Sequence, residues 1–475
     1  MIVQLFNYYF EHIHPQFPLL CSGFHTPKMV TARSGMLLTT VCAIAAKYYA
    51  PDTELARRTS EIAKRMRSEV LARRSKTVEI VQACLLLTVW SLDPPMRPQD
   101  DDAWILFALA RSMAQDIGLE RLRPPRPRVG ENPDQEAHNR TRTWLHLYFR
   151  DQGLSAALGR SSSIKENDEI MFPDRYLPIT TNQGDFLLSV LIELCRILSR
   201  TLATLLVQGY DTDGDSGFDY MVLTNQFENQ LNAWKGRYMP ILHEKARLAD
   251  PTELRLISYQ RARITFDFHY SMLLICSFGM RNALRRAMLD IGFYFNRCYS
   301  AAMAVLRCAR HEYTVPGWLR HAPNSTFVCI SYAAVSLLRF CRPKLQKLLA
   351  YDTNILDVLD STVVMLEKAS ASPQHLAYQH SIVLRAKISS QTNGIPTRIN
   401  TPMVRSPRNE LTNGLPSIPQ PDGHGIRRDW SSFADPGLGT DFDFSFAVLI
   451  LCISLFLRCI FPVGQWRRTG GMSVW

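Results

Sequence analysis

The stretch Ala103-Trp104-Ile105-Leu106-Phe107-Ala108-Leu109-Ala110-Arg111-Ser112-Met113-Ala114-Gln115-Asp116-Ile117-Gly118-Leu119 reads as one helix with both ends written into it. Asp100, Asp101 and Asp102 precede it, where the positive end of the helix dipole favours acidic side chains. Gly118 followed by Leu119 predicts a left-handed cap closed by an apolar contact. Between these signals the apolar residues recur at three and four, the period of a helix with one buried face.

The same period extends outward in both directions. Phe6, Tyr9, Phe10 and Ile13 share a face of an opening helix that Pro15 is expected to end, because proline disfavours helical geometry in the residue before it. Met36 to Tyr49 is apolar, and Thr53 to Ser75 is amphipathic, with Arg57, Arg58, Lys64, Arg65 and Arg67 largely on its outer face. Val78 to Ser91 is apolar almost all round and is expected to be buried. After a Pro/Arg loop from Arg121 to Pro133, helices are predicted over Asn139–Leu158, Asp185–Gln208, Tyr220–Gly236, Thr252–Leu289, Phe293–His311, Thr326–Leu349 (interrupted at Pro343) and Asn354–Ala369. Strand-like alternation with paired turn signals is absent, and so is a fixed-period repeat. The expected fold class is therefore all-α, an irregular multi-helix array rather than a solenoid.

The composition of the 475 residues, 46% hydrophobic and 20% charged, suits a globular chain with a sizeable core. The net charge of +11 suits an acidic partner without requiring one. No two of the eleven cysteines have C-x-x-C spacing, and most sit in apolar runs, as small buried hydrophobes of a reducing compartment do. The opening Met1-Ile2-Val3-Gln4-Leu5-Phe6 lacks the basic region of a secretory signal.

Four collinear stretches over about 160 residues carry a family resemblance. They are Leu5–Pro18 with its His14-Pro15-Gln16-Phe17-Pro18 exit, Thr77–Leu87 with Val81-Gln82-Ala83-Cys84-Leu85, Ala103–Leu119, and Arg142-Thr143-Trp144-Leu145-His146-Leu147-Tyr148 with Asp151, Leu154 and Gly159-Arg160. This set resembles the middle homology region of fungal binuclear zinc-cluster transcription factors. The resemblance implies an all-helical regulatory domain over residues 1–386, with the clearest motifs in 1–165. It also implies regulation of RNA polymerase II transcription in the nucleus. In that family a zinc cluster reads DNA and the helical region modulates activity.

Two departures stand out: Ser161 occupies the place of the family's proline after Gly-Arg, and no zinc cluster precedes the opening helix. Zinc is accordingly expected only in that absent N-terminal cluster. The chain would then be a truncated gene product, a regulator without its own reader, or a partner recruited by another factor. Promoter DNA, a homo- or heterodimer partner, coactivators and a small-molecule effector are the partners the resemblance implies.

Beyond 386 the character changes. Residues 387–428 hold Pro396, Pro402, Pro407, Pro416, Pro419 and Pro421 among Gly, Ser, Asn and Thr, the composition of a linker. Residues 429–446 alternate acids with Trp430, Phe433, Phe442 and Phe444, which reads either as an activation segment or as a surface tail with incidental aromatics. Residues 447–475 form an apolar tail interrupted by Arg458. It is too short for a membrane span of roughly 20 apolar residues and is expected to be non-native sequence.

No catalytic or metal-binding residue is predicted. His12-x-His14 beside Glu11 puts two imidazoles on different faces of a helix. The Asp211, Asp213, Asp215 loop lacks the glycine and glutamate of a calcium loop, with Ser216 and Val222 in their places. G-x-S-x-G, H-E-x-x-H and the P-loop pattern are all missing. Arg57, Arg58, Lys64, Arg65, Arg67, Arg73, Arg74 and Lys76, or Arg281, Arg285 and Arg286, could meet phosphates, but no stacking aromatics interleave them. Binding of DNA is thus expected to be sequence-indifferent and salt-sensitive. The alternatives of another class are a helical enzyme or accessory protein of secondary metabolism, and a tail-anchored membrane protein.

Overall fold

A computed structural model describes residues 1–51, 53–92, 103–121, 133–158, 162–179, 182–209, 219–286, 291–341, 345 and 355–392. Every regular element among them is a helix: α1 Ile2–Tyr8, α2 Pro27–Arg33, α3 Gly35–Tyr49, α4 Glu54–Arg73, α5 Val78–Val89, α6 Ala103–Asp116, α7 Pro133–Leu158, α8 Asp168–Met171, α9 Gln183–Gly209, α10 Tyr220–Leu248, α11 Pro251–Arg286, α12 Ile291–Cys308, α13 Asn324–Phe340, α14 Ile355–Ala369 and α15 Leu376–Thr392. The all-α expectation holds.

Local chemistry sets the boundaries. Thr26, Ser34 and Thr77 each precede a helix, and their hydroxyls accept from the backbone N–H of Met29, Leu37 and Ile80. Gly118 has φ +67°, its N–H donates to Gln115 O at 3.0 Å, and Leu119 N–H donates to Ala114 O at 2.9 Å. That is the predicted cap, with buried Leu119 as its apolar contact. Arg140 adds a second closure, donating from Nη2 to the Ile117 carbonyl at 2.8 Å.

Three extents differ from the sequence reading. The opening helix does not stop before Pro15: a π-turn over Tyr9–Ile13 and a 3₁₀ turn over His14–Gln16 carry the chain past it. Proline at the second position of that short turn costs no intrahelical bond. α7 begins six residues before Asn139, at Pro133. α10 runs beyond Gly236 and through Pro240 to Leu248. Burial of Leu242 beyond the proline, in the core that α11 shares, offsets the backbone bond that Pro240 removes.

Two hydrophobic cores share the structure. The first surrounds α5, whose twelve residues are all buried, and packs it against α3, α6 and α7. The second joins α10 to α15, with α11 and α12 as its main pair. Their close approach depends on Gly279, where a Cβ would lie 2.1 Å from the Tyr294 ring. α9 lies between the cores and serves both, because Leu188 and Ile192 face the first while Leu187, Val190, Leu191 and Leu194 face the second. The turn around residues 318–324 returns to the first half. Gln16 Nε2 donates to Trp318 O at 2.8 Å, Trp90 Nε1 to His321 O at 3.2 Å, and Asn324 Nδ2 to Ser91 Oγ at 3.0 Å.

The Pro/Arg loop, the Gly159-Arg160-Ser161 turn, the Asp211–Asp215 loop and everything after Thr392 lie outside the described residues. The proposed linker, acidic–aromatic segment and apolar tail are among them, apart from the last turns of α15. No helix of the described residues is long and apolar enough to cross a membrane.

Candidate functional site

Side chains from the four motif stretches meet inside the first core. Gln82 is fully buried and donates to Asn139 Oδ1 at 2.8 Å and to Thr143 Oγ1 at 3.0 Å, while its Oε1 lies 3.3 Å from His25 Nε2. Asp151, also fully buried, accepts from Ser162 Oγ, Ser163 Oγ and the N–H groups of Ser163 and Ile164 at 2.5 to 2.8 Å. It thereby holds the segment leading to Glu166 against α7. Arg142 donates to Asp185 from Nε and Nη2 at 2.5 and 2.6 Å, fastening α7 to the first turn of α9. Asn182 caps that turn, accepting from Gly184 and Asp185 N–H.

The motif histidines are structural. His14 Nε2–H donates to Leu20 O at 2.7 Å, and burial holds its pKa down at about 4. His12 stacks on His321 with centroids 5.5 Å apart, and Tyr8 OH is 2.8 Å from His321 Nε2. Burial also lowers the His321 pKa to about 3. The two imidazoles of His12-x-His14 thus point to different partners.

Most of the basic residues singled out on α4 and just after it are exposed, and several are paired. Arg57 pairs with Glu54 and Glu61, Arg58 with Glu54, Arg73 with Glu69, and Lys76 with Asp116. Such exposed pairs contribute little to stability, but they cancel much of the field that would attract a phosphate backbone. Arg281 lies 30 residues into α11, with Arg285 and Arg286 at its end, so the two basic groups belong to helices packed in different cores.

A cleft opens where α9 meets α10, beside α8. One arm, of about 560 Å³, is lined by Phe172, Ile179, Phe186 and Ser189, with Arg196 and Tyr238 among its polar groups. The other, of about 390 Å³, reaches Leu223, Phe227 and Trp234. Glu193, Ile197, Arg200 and Arg237 belong to both. The α9 wall follows helical spacing, and Trp234 Nε1–H donates to Val190 O at 3.0 Å to fix α10 against it.

The carboxylates that bind the cleft's arginines, Glu193 in its lining and Glu166 next to it, are heavily subscribed. Glu166 accepts from Tyr148 OH at 3.2 Å and from Arg196 Nε and Arg200 Nη2 at 3.1 Å. Glu193 accepts from Arg237 Nη1 at 2.9 and 3.1 Å and from Tyr238 OH at 2.5 Å. Burial, reinforced by Glu193, pushes the Tyr238 hydroxyl pKa up and keeps it a donor. Two rim cations lie over aromatic walls, Arg175 over Phe172 at 4.1 Å and Lys245 over Phe186 at 4.2 Å. None of these charges was singled out in the sequence. The only trace there is the Glu193-x-x-Arg196-x-x-x-Arg200 series, which interrupts an otherwise apolar helix.

Residues 6–236 match the fungal specific transcription factor domain. The chain carries that domain. The match covers the first core, α9 and most of the cleft, and ends one residue before Arg237. The chain is also similar to longer proteins. The chain is 24% identical over 349 residues to Protein priB of Lentinula edodes, covering 72% of this chain and 55% of that protein. It is 28% identical over 129 residues to the transcriptional regulatory protein SEF1 of Candida albicans, covering 26% and 14%. It is 23% identical over 282 residues to the transcriptional activator of proteases prtT of Emericella nidulans, covering 58% and 41%. The chain thus spans about half of priB and less of the other two. No solved structure matches it.

Proposed function

We propose that this chain is the helical regulatory part of a fungal transcription regulator that works in the nucleus and performs no catalysis of its own. The observation that carries the reading is the transcription factor domain over residues 6–236, whose motif residues Gln82, Arg142 and Asp151 all serve to hold the helices of one scaffold. Promoter DNA would be reached through a zinc cluster outside these 475 residues, on a longer form of the chain or on a dimer partner. Residues 429–446 would engage coactivators, their acids keeping Trp430, Phe433, Phe442 and Phe444 solvated until they order in a groove. The cleft between α9 and α10 would receive a small-molecule effector.

Fusing the chain to a foreign DNA-binding domain tests the reading. A reporter should respond to the fusion, and replacing the four tail aromatics with alanine should remove activation while leaving the protein level unchanged. A reporter indifferent to the fusion, whether alone or alongside a strong activation domain, would defeat it.

A further inference from the structure

The cleft's chemistry also selects among ligands. Its lining holds three guanidiniums (Arg196, Arg200, Arg237) and two carboxylates, Asp174 and Glu193, with Arg175 and Glu166 next to it through Phe172 and Arg196. Glu166 and Glu193 already accept three hydrogen bonds each. A guanidinium has five N–H donors, whereas Arg200 spends one nitrogen on Glu166 and Arg237 one nitrogen on Glu193. Guanidinium donors are therefore in surplus over carboxylate acceptors at the point common to both arms. The floor beside them is apolar and aromatic, formed by Phe172, Ile179, Phe186 and Ile197.

We infer that the cleft binds a compact organic monoanion, with its carboxylate between Arg200 and Arg237 and its apolar body against Phe172 and Phe186. This rests on the proposed effector role and adds the ligand's chemistry. A neutral molecule of the same shape would gain no charge-assisted hydrogen bond from the guanidiniums, and a cation would meet their surplus. Acetate would satisfy the charge but bury no apolar surface.

Titration of the purified full chain with 1-naphthylacetate, 1-naphthylacetamide and acetate, followed by calorimetry, tests this. The carboxylate with the aryl body should bind at least about tenfold more tightly than either the amide or acetate. Arg200 and Arg237 are mostly exposed, so the double variant R200Q/R237Q should fold as the parent does and lose that preference. S189F, which fills one arm without changing charge, should weaken binding of the carboxylate as well. Equal affinity for acid and amide, no binding of either, or an unchanged preference in R200Q/R237Q would overturn the assignment. The reporter fusion reads the regulatory role separately. A chain that drives the reporter but shows no acid preference loses only the ligand assignment, and one that binds the acid but leaves the reporter silent loses only the regulatory reading.

Discussion

Arg142 of α7 and Asp185 of α9 form a two-point ion pair within the interior, with side chains only 5% and 0% exposed. It sits where the turn leaving α1 also arrives: a Cβ on Gly184 would lie 2.7 Å from Pro18. The pair therefore fixes the start of α9, whose buried residues serve both cores, and with it the direction in which α9 presents Glu193, Arg196 and Arg200 to the cleft.

Removing one partner should be far worse than removing both. Asp185→Ala would leave a guanidinium buried without its acceptor, at a cost of about 3–5 kcal/mol, whereas an apolar pair such as R142M/D185L should recover much of that loss. Urea unfolding midpoints of the two single variants and the double variant provide the check. Additive losses would show that the residues act independently.

Arg142 was legible as a motif residue, but its partner was not, because Asp185 lies 43 positions away and looks like any acid in a first helical turn. α5 and the Gly118 cap were legible because their signals are local: an apolar run too long to be a surface, and a glycine where φ must be positive. The passage of α10 through Pro240 was hidden, since the packing that outweighs the proline comes from a helix later in the chain. The cleft escaped notice for a related reason. Its charges come from three separate elements, and on any one of them an arginine reads as a solvated face.

Asp151→Asn should loosen the approach to the cleft. The carboxylate accepts four hydrogen bonds, three at Oδ2 and one at Oδ1, and an amide puts a donor in place of one of these oxygens. The expected loss is about 1–3 kcal/mol, with earlier proteolysis around Ser162–Glu166. Limited digestion with mapped cleavage sites reports it, and a digestion pattern identical to the parent's would show that the segment is held by other contacts.

Gly279→Ala should destabilise the second core by about 1–3 kcal/mol, because the added methyl falls within the Tyr294 ring and the α11–α12 pair must part to admit it. Adding Tyr294→Leu should restore part of the loss, a non-additivity expected of residues in contact. Full additivity in thermal unfolding would contradict the close approach.

Mild acid should weaken the fold through its buried histidines. Burial, the largest cause at each site, lowers the pKa to about 4 at His14 and His380 and to about 3 at His25 and His146. Arg142 adds a smaller repulsion toward His14, His25 and His146. In the unfolded chain an imidazole titrates near 6.5, so below that pH the unfolded state binds protons that the folded state refuses. The sign follows: the stability these groups contribute is complete above about pH 6.5 and is lost as pH falls toward their folded values, by up to about 1.4 kcal/mol per histidine for each pH unit. Glu169 and Asp267, whose pKa burial raises, oppose the trend, but they are two groups against these four imidazoles. Between pH 7.5 and 5.5 the histidines should dominate. The urea midpoint should therefore fall steadily across that interval, and H380Q should flatten the slope, because it removes one buried imidazole while keeping a side chain that can bond to Ser331. A midpoint that stays level or rises on acidification would mean that these rings take up protons within the fold.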